Sequence, residues 1–224
     1  MRRRHHTRSS GRVARVVHGL LHCALVTSAP VADRRAARKA ATRDAIADAL
    51  LDLLTDGELR PTAREIAQRA GVSLRSVYVH FDDLEDLFCV AAARHYTRIA
   101  SILAPPAPTG PLGERARAFV EHRAQLYVKV GAVGRATQLQ APFSPTLARI
   151  VREVRQHMRR EIEHVFAPEL DALAEPRRTQ MISVLDVLTN GHAWETFRDT
   201  YALSADDAVG AIAGAVVTQL EARS

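Results

Sequence analysis

The sequence predicts an all-α protein, in which an N-terminal three-helix domain precedes a larger helical domain. Three observations support this prediction. Alanine, a strong helix former, is abundant, and strand-forming residues are not gathered into alternating runs. Apolar residues recur instead every three or four positions, as on one face of a helix. Four prolines and a glycine at Ala104–Pro111 then mark a linker between two parts of the chain.

Basic residues are concentrated near the N-terminus. The first 43 residues contain eleven Arg and Lys residues against one acid, Asp33, whereas the rest of the chain has 20 basic and 24 acidic residues. Residues 1–32 show no sustained period, so we predict a disordered basic extension. Such an arm can bind phosphates without reading sequence, or it can be a solvated tail without a role. Translation that begins near Val26 or Val31 would remove most of it.

The composition argues against several other classes of protein. Two cysteines, Cys23 and Cys89, provide neither a disulfide framework nor a zinc site, which fits a reducing, cytoplasmic location. The longest apolar stretch, Val16–Val26, is too short to span a bilayer. The sequence has no metalloprotease motif, phosphate-binding glycine loop or nucleophile elbow, so we expect no catalytic residues, cofactor or metal.

The N-terminal helices are marked by apolar periodicity and by capping residues. The first runs from Asp33 to Gly57 with an apolar face of Ile46, Leu50, Leu53 and Leu54. Its opposite face carries Arg43, Asp44, Asp48 and Asp52. A second helix, Ala63–Ala70, begins with a capping box of Thr62 and Glu65, and a third runs from the cap Ser73 to Phe81.

Helices are also predicted on either side of the linker. A fourth helix begins at the cap Asp82-Asp83 and ends near Ile102. Beyond the linker, the predicted helices are Leu112–Val130, Arg135–Gln140, Pro145–Phe166, Pro176–Thr200 and Ala205–Ala222.

Residues 62–87 read TAREIAQRAGVSLRSVYVHFDDLEDL, two short helices joined by a tight turn at residues 70–73. The spacing turns one set of side chains inward: Ile66, Ala67, Ala70, Val72, Val77 and Phe81. It leaves another set outward: Leu74, Arg75, Ser76, Tyr78, Val79 and His80. This is the geometry of a helix-turn-helix, whose second helix enters the major groove of DNA. An ordinary helical hairpin is the alternative.

The same string resembles the signature of the TetR family of transcriptional regulators. The matching elements are Thr62, Ile66-Ala67, Ala70-Gly71-Val72-Ser73, Tyr78, His80-Phe81, Glu85 and Leu87. The resemblance covers roughly residues 35–100 and is loose beyond them. It implies a dimer held together by the last two helices of each subunit. The family commonly has Lys where this chain has Leu84, so one phosphate contact is expected to be missing, and the basic arm is a candidate to compensate.

Candidate DNA contacts follow from positions within the motif. Thr62 begins a helix, where a hydroxyl and free N–H groups suit a phosphate. Tyr78 and His80 lie late in the second helix and are expected to contact the DNA backbone, as the family resemblance also implies. Arg64 and Arg75 are the predicted base readers, because arginine pairs with the guanine edge. The remaining candidates, near base edges, are Ser73, Leu74 and Ser76.

Two groups of side chains in the C-terminal half are candidate ligand sites. Glu153, His157, Glu161 and His164 share a helical face and could hold a metal, but a solvated face with i,i+4 charge pairs is the preferred interpretation. The candidate contacts to an effector molecule, at spacings that a plain core explains equally, are Phe119, His122, Tyr127, Met158 and Trp194.

We therefore predict a homodimer in which residues 33–84 bind a double-stranded DNA operator and residues 85–224 bind an effector and dimerise. The candidate dimer interface, for which packing within one subunit is the alternative, contains Val184, Leu188, His192, Gly210, Ala211, Gly214 and Ala215. A small apolar effector would change the spacing of two recognition helices and release this repressor from a palindromic operator. The rivals are a DNA-binding architectural or activating protein without a ligand and an enzyme with an accessory DNA-binding module.

Overall fold

The computed structural model describes residues 34–99, 107 and 109–222. Helices, turns and short loops make up these residues, and no strand occurs among them, which confirms the predicted all-α class. The predicted disorder of residues 1–32 and most of the linker Ala104–Pro111 lie outside the described residues.

The described residues divide into two compact units whose boundaries differ from the predicted domains. The first unit contains residues 34–99 and 130–153, and the second contains residues 107, 109–129 and 154–222. The first unit therefore extends past residue 84 and takes in a later segment of the chain. The assignment of DNA binding to residues 33–84 and of ligand binding to residues 85–224 stays a prediction about function.

The first unit begins with four helices: α1 (Arg34–Thr55), α2 (Ala63–Arg69), α3 (Leu74–His80) and α4 (Leu84–Arg98). Gly71 has a φ of 67°, a left-handed conformation that glycine adopts at low cost, and it makes the tight turn between α2 and α3. The predicted caps are confirmed: Ser73 accepts from the Ser76 N–H at 3.1 Å and Asp83 accepts from the Asp86 N–H at 2.8 Å.

A single apolar core holds these helices together. Its members include Ile46, Leu50, Leu54, Ile66, Val77, Phe81 and Leu87. Ala70 and Val72, which were predicted to face inward, are half-buried at the edge of this core. The polar face of α1 is partly covered by α4, because the Arg94 guanidinium lies 2.7 Å from Asp44 and 3.1 Å from Asp48.

Helix α5 (Leu112–Gln140) consists of two helical segments joined at a kink, where the sequence predicts two separate helices. The predicted break survives as a kink at Gly131, where φ is 15° and ψ is −105°. A 3-10 turn at Ala141–Phe143 leads to α6 (Pro145–Val165), within one residue of its predicted end. None of the described helices is both long and apolar enough to cross a membrane.

The second unit contains the first part of α5 and the last part of α6. It also contains α7 (Ala167–Leu170), α8 (Arg177–Leu188), α9 (Gly191–Glu195), a π-turn at Thr196–Thr200 and α10 (Ala205–Glu221). The prediction of one helix over Pro176–Thr200 is wrong. Helix α8 stops at Leu188, and the Asn190 side chain caps α9 by accepting from the Ala193 N–H at 2.8 Å. The Asn190-Gly191 pair favours the end of one helix and the start of the next, and this local preference overrides the apolar periodicity of residues 176–200.

The second unit has its own apolar core. Its fully buried members include Phe119, Ile162, Phe166, Leu185 and Val216. The Phe119 and Phe166 rings meet edge to face with centroids 5.4 Å apart. A buried ion pair between Arg115 and Glu169 lies beside this core.

Candidate nucleic-acid interface and ligand cavity

Helix α3 has one buried and one exposed face. Val77 is 1% exposed, while Tyr78 next to it is 56% exposed. Of the residues predicted to point outward, four are exposed: Leu74, Arg75, Tyr78 and Val79. The other two, Ser76 and His80, are half-buried. The exposed face therefore combines a cation, a phenol and two apolar side chains on a helix that α1 and α2 support from behind.

The Thr62 hydroxyl, a predicted phosphate contact, already serves the cap of α2. It accepts a hydrogen bond from the Glu65 N–H at 3.3 Å and donates one to the Glu65 carboxylate at 2.7 Å. The Thr62 N–H donates to the same carboxylate at 2.7 Å, and these hydrogen bonds hold the pKa of Glu65 below its usual value. A phosphate bound by this hydroxyl would compete with a charged carboxylate, so the role of Thr62 stays a prediction.

His80 lies at the C-terminal end of α3, beside two cations of α1. Its Nδ1 is buried and has no hydrogen-bond partner among the described residues. Burial, and then the charges of Lys39 and Arg43, lower the pKa of His80. The imidazole is therefore neutral at pH 7, and it would offer phosphate a hydrogen bond rather than a full positive charge.

Arg43 of α1 also belongs to this site, although the sequence predicts only that it lies on the polar face of its helix. Its guanidinium donates to the His80 backbone carbonyl at 2.7 Å and lies 4.4 Å from the centroid of the Phe81 ring. It also approaches Asp86 at 3.5 Å. No periodicity signals these contacts, because they join positions 37 or more residues apart.

The other positions of the motif lie on α2 and at the starts of α3 and α4. Arg64 is exposed on α2, and Ser73 is exposed at the start of α3, where its hydroxyl oxygen serves the cap. Leu84, which stands where the family commonly has Lys, is half-buried against the core of the first unit. Its apolar side chain therefore packs inward at the start of α4.

The second unit contains a cavity of about 10 Å³, close to the volume that one water molecule needs. Two of the five predicted effector contacts, Tyr127 and Trp194, line it. The other three, Phe119, His122 and Met158, do not line it. The lining residues that sequence reasoning missed are Val120, Arg123, Ala124, Thr189, Asn190 and Ile212. Thr189 and Asn190 come from the break between α8 and α9, where the sequence predicts one unbroken helix. Val120, Arg123 and Ala124 come from α5.

The helical face of Glu153, His157, Glu161 and His164 is not uniformly solvated, which corrects the preferred interpretation. Glu161 is 4% exposed, and its carboxylate lies 3.0 Å from the Arg123 guanidinium and 2.9 Å from the His157 Nε2. The sequence therefore predicts the i,i+4 pairing of His157 with Glu161, but it does not predict the burial of Glu161. No group of three or more side chains suited to a metal ion occurs in the described part of the chain.

Comparison with known proteins adds to this geometry. No protein-family model matches the sequence, and no curated protein matches it. A transcriptional regulator from Rhodococcus sp. Rha1 has a similar structure, with a TM-score of 0.63 and 21% identity over 80% of this chain and 96% of that regulator. A TetR transcription regulator from Haloarcula marismortui has a TM-score of 0.52 and 14% identity over 82% of this chain and 98% of its own.

Both similarities extend over most of the chain, although the identities are low enough that they show the fold alone. They agree with the resemblance drawn from residues 62–87, which covers a smaller part of the sequence. The chain has the fold of the TetR-type transcription regulators.

Proposed function

We propose that this protein is a sequence-specific, DNA-binding transcriptional regulator whose recognition helix is α3. The observation that carries the proposal is the exposed face of α3, with Arg75 and Tyr78 in open solvent and Val77 anchored in the core. A helix braced in this way can enter the major groove without rearranging its domain.

The side chains of this face suit two different tasks. Arg75 has the length and the paired donors to read a guanine edge, with Arg64 of α2 as a second candidate. Tyr78 and the neutral His80 would hydrogen-bond to phosphates and set the register of the helix. Ser73, Leu74 and Ser76, which flank Arg75 in the sequence, would lie near base edges. Leu74 would contact a thymine methyl group.

A homodimer would double these contacts and would require a palindromic operator. Support for an interface on α8 and α10 comes from the exposure of small and apolar residues there. Gly210 and Gly214 are exposed, and a Cβ atom on either would meet nothing within 4 Å. Val184 and Val187 of α8 are 40% and 64% exposed. These two helices pack on each other within the second unit, so their outer faces form one candidate surface.

Release of the operator by a small molecule is the regulatory part of the proposal. The cavity lined by Tyr127 and Trp194 is the candidate effector site, and an occupant would change the spacing of the two recognition helices in the dimer. The small volume of this cavity also favours a second candidate function, a DNA-binding regulator that responds to no ligand.

Selection of bound sequences from a pool of random double-stranded DNA tests the proposal. The full chain should enrich a two-fold symmetric sequence whose half-sites lie about 34–36 Å apart. Recovery of unenriched random sequence at every salt concentration would contradict sequence-specific binding.

A further inference from the structure

Arg123 places a buried cation in the wall of the cavity in the second unit. Its side chain is 2% exposed, and the cavity also touches Tyr127, Asn190 and Trp194. We propose that this cavity is a ligand subsite in which the Arg123 Nε–H binds the carbonyl oxygen of a small, uncharged and otherwise apolar molecule. This inference identifies the chemical class of the proposed effector. The regulatory role of the subsite rests on the proposed function.

Of the three guanidinium nitrogens of Arg123, Nε is the one that makes no hydrogen bond in the described part of the chain. One terminal nitrogen lies 2.8 Å from the Met158 carbonyl oxygen and 3.0 Å from the Glu161 carboxylate, and the other contacts the Met158 sulfur. Nε is buried and has no acceptor among the described residues. An unpaired donor on a buried charged group is costly, so an acceptor oxygen that reaches it gains the whole hydrogen bond.

Charge balance selects an uncharged acceptor. Glu161 already compensates the Arg123 charge at 3.0 Å, and its Oε2 is itself buried without a hydrogen-bond partner among the described residues. A ligand carboxylate would add a second anion to one buried guanidinium, at a large desolvation cost. A carbonyl oxygen accepts the hydrogen bond without burying another charge.

The remaining walls combine apolar side chains with a segment of irregular backbone. Val120, Ala124 and Ile212 supply aliphatic surface beside the Trp194 ring. Thr189 and Asn190 lie in the break between α8 and α9, and α9 runs into a π-turn, a feature that is frequent at functional sites. A molecule larger than water enters only if a wall side chain moves, and Tyr127, which packs on the Gly191 backbone, is the wall residue next to this break.

The single tryptophan of the chain makes the cavity directly observable. The Trp194 indole N–H gives a unique resonance in a proton–nitrogen correlation spectrum of the ¹⁵N-labelled full chain. We would titrate three probes of similar ring size: cyclohexanone, methylenecyclohexane and cyclohexanecarboxylate. Cyclohexanone should shift the resonance saturably, with a Kd at least about tenfold lower than those of the other two, since a hydrogen bond to a charged group is worth that much.

Two variants and a control separate the hydrogen bond from general effects. Arg123→Lys keeps a positive charge for Glu161 but removes the Nε donor, and it should bring the affinities for cyclohexanone and methylenecyclohexane within about twofold. Arg117→Lys, on an exposed position of the same helix, should keep the wild-type preference. Ala124→Val leaves the ion pair intact but fills the cavity, and it should abolish the shift for all three probes.

Three results would overturn the proposal: equal affinities of the wild type for ketone and alkene, an unsaturable shift, or a preference that survives in Arg123→Lys. The first two would leave water as the occupant of the cavity. If Arg123→Lys does not fold, Ala124→Val still decides whether the probes bind in this cavity. Gel-shift titration of the same samples tests DNA binding separately, so loss of ketone binding with intact DNA binding rejects only this inference. Ketone binding without DNA binding rejects the proposed regulator instead.

Discussion

The Arg43 guanidinium donates a hydrogen bond of 2.7 Å to the backbone carbonyl oxygen of His80. His80 is the last residue of α3, where carbonyl groups lack partners within the helix. Arg43 belongs to α1 and also lies over the Phe81 ring that follows. One side chain of α1 therefore fixes the C-terminal end of the candidate recognition helix.

Replacement of this arginine should loosen α3. We expect Arg43→Ala to lower the free energy of unfolding by about 1 kcal/mol, the usual value of one hydrogen bond, and to weaken DNA binding. Urea denaturation measures the first effect. Arg38→Ala, at an exposed position of the same helix, is the stability control. Equal stability of the two variants would show that the Arg43–His80 contact contributes nothing.

Tyr78 should contribute to affinity without contributing to sequence preference. Tyr78→Phe removes one hydroxyl and should weaken binding by about 1.5–3 kcal/mol on every sequence alike, because the lost partner is a charged phosphate. Tyr201→Phe is the matched control, since Tyr201 is 66% exposed in the second unit. His80→Ala should act in the same direction as Tyr78→Phe. Unchanged affinity of the Tyr78 variant in a gel-shift titration at fixed salt would remove it from the interface.

The basic arm should appear in the salt dependence of binding. Deletion of residues 1–32 removes six arginines, Arg2, Arg3, Arg4, Arg8, Arg12 and Arg15. The slope of log K against log salt should shrink by about 0.9 for each phosphate contact that is lost. Parallel slopes for the full and shortened chains would mean that the arm makes no such contact.

The proposed dimer interface is tested at Gly214 of α10. Gly214→Arg places a large cation on the exposed face of that helix and should produce monomers in sedimentation, with a matching loss of operator binding. Gly113→Arg, at another exposed glycine with open space around it, should remain dimeric. A dimeric Gly214→Arg that binds DNA normally would move the interface elsewhere.

The parts of the fold that the sequence predicts are those set by local chemistry. The capping residues Thr62, Ser73 and Asp83 and the turn at Gly71 act within a few residues, so their positions follow from the sequence. The exposed positions on α3 also follow, because one buried residue, Val77, fixes the orientation of a short helix.

The parts that the sequence does not predict depend on partners far along the chain. The contacts of Arg43 with His80 and of Arg123 with Glu161 join residues on different helices, and helical periodicity carries no information about such pairs. The burial of Glu161 is unexpected for the same reason, because its position on a charged face suggests solvent. Only two of the five predicted effector contacts, Tyr127 and Trp194, line the cavity, because helical spacing does not distinguish a cavity wall from a packed core.

The central claim, that the exposed face of α3 reads base pairs, is tested most directly by selecting DNA sites with the Arg75→Ala variant. This variant should select the wild-type consensus with relaxed preference at one base pair in each half-site, at a cost of about 1–3 kcal/mol there. Arg69 of α2 forms an ion pair with Asp56, and Arg69→Ala should leave that consensus unchanged. An Arg75→Ala variant that selects the wild-type consensus with undiminished stringency would contradict the claim.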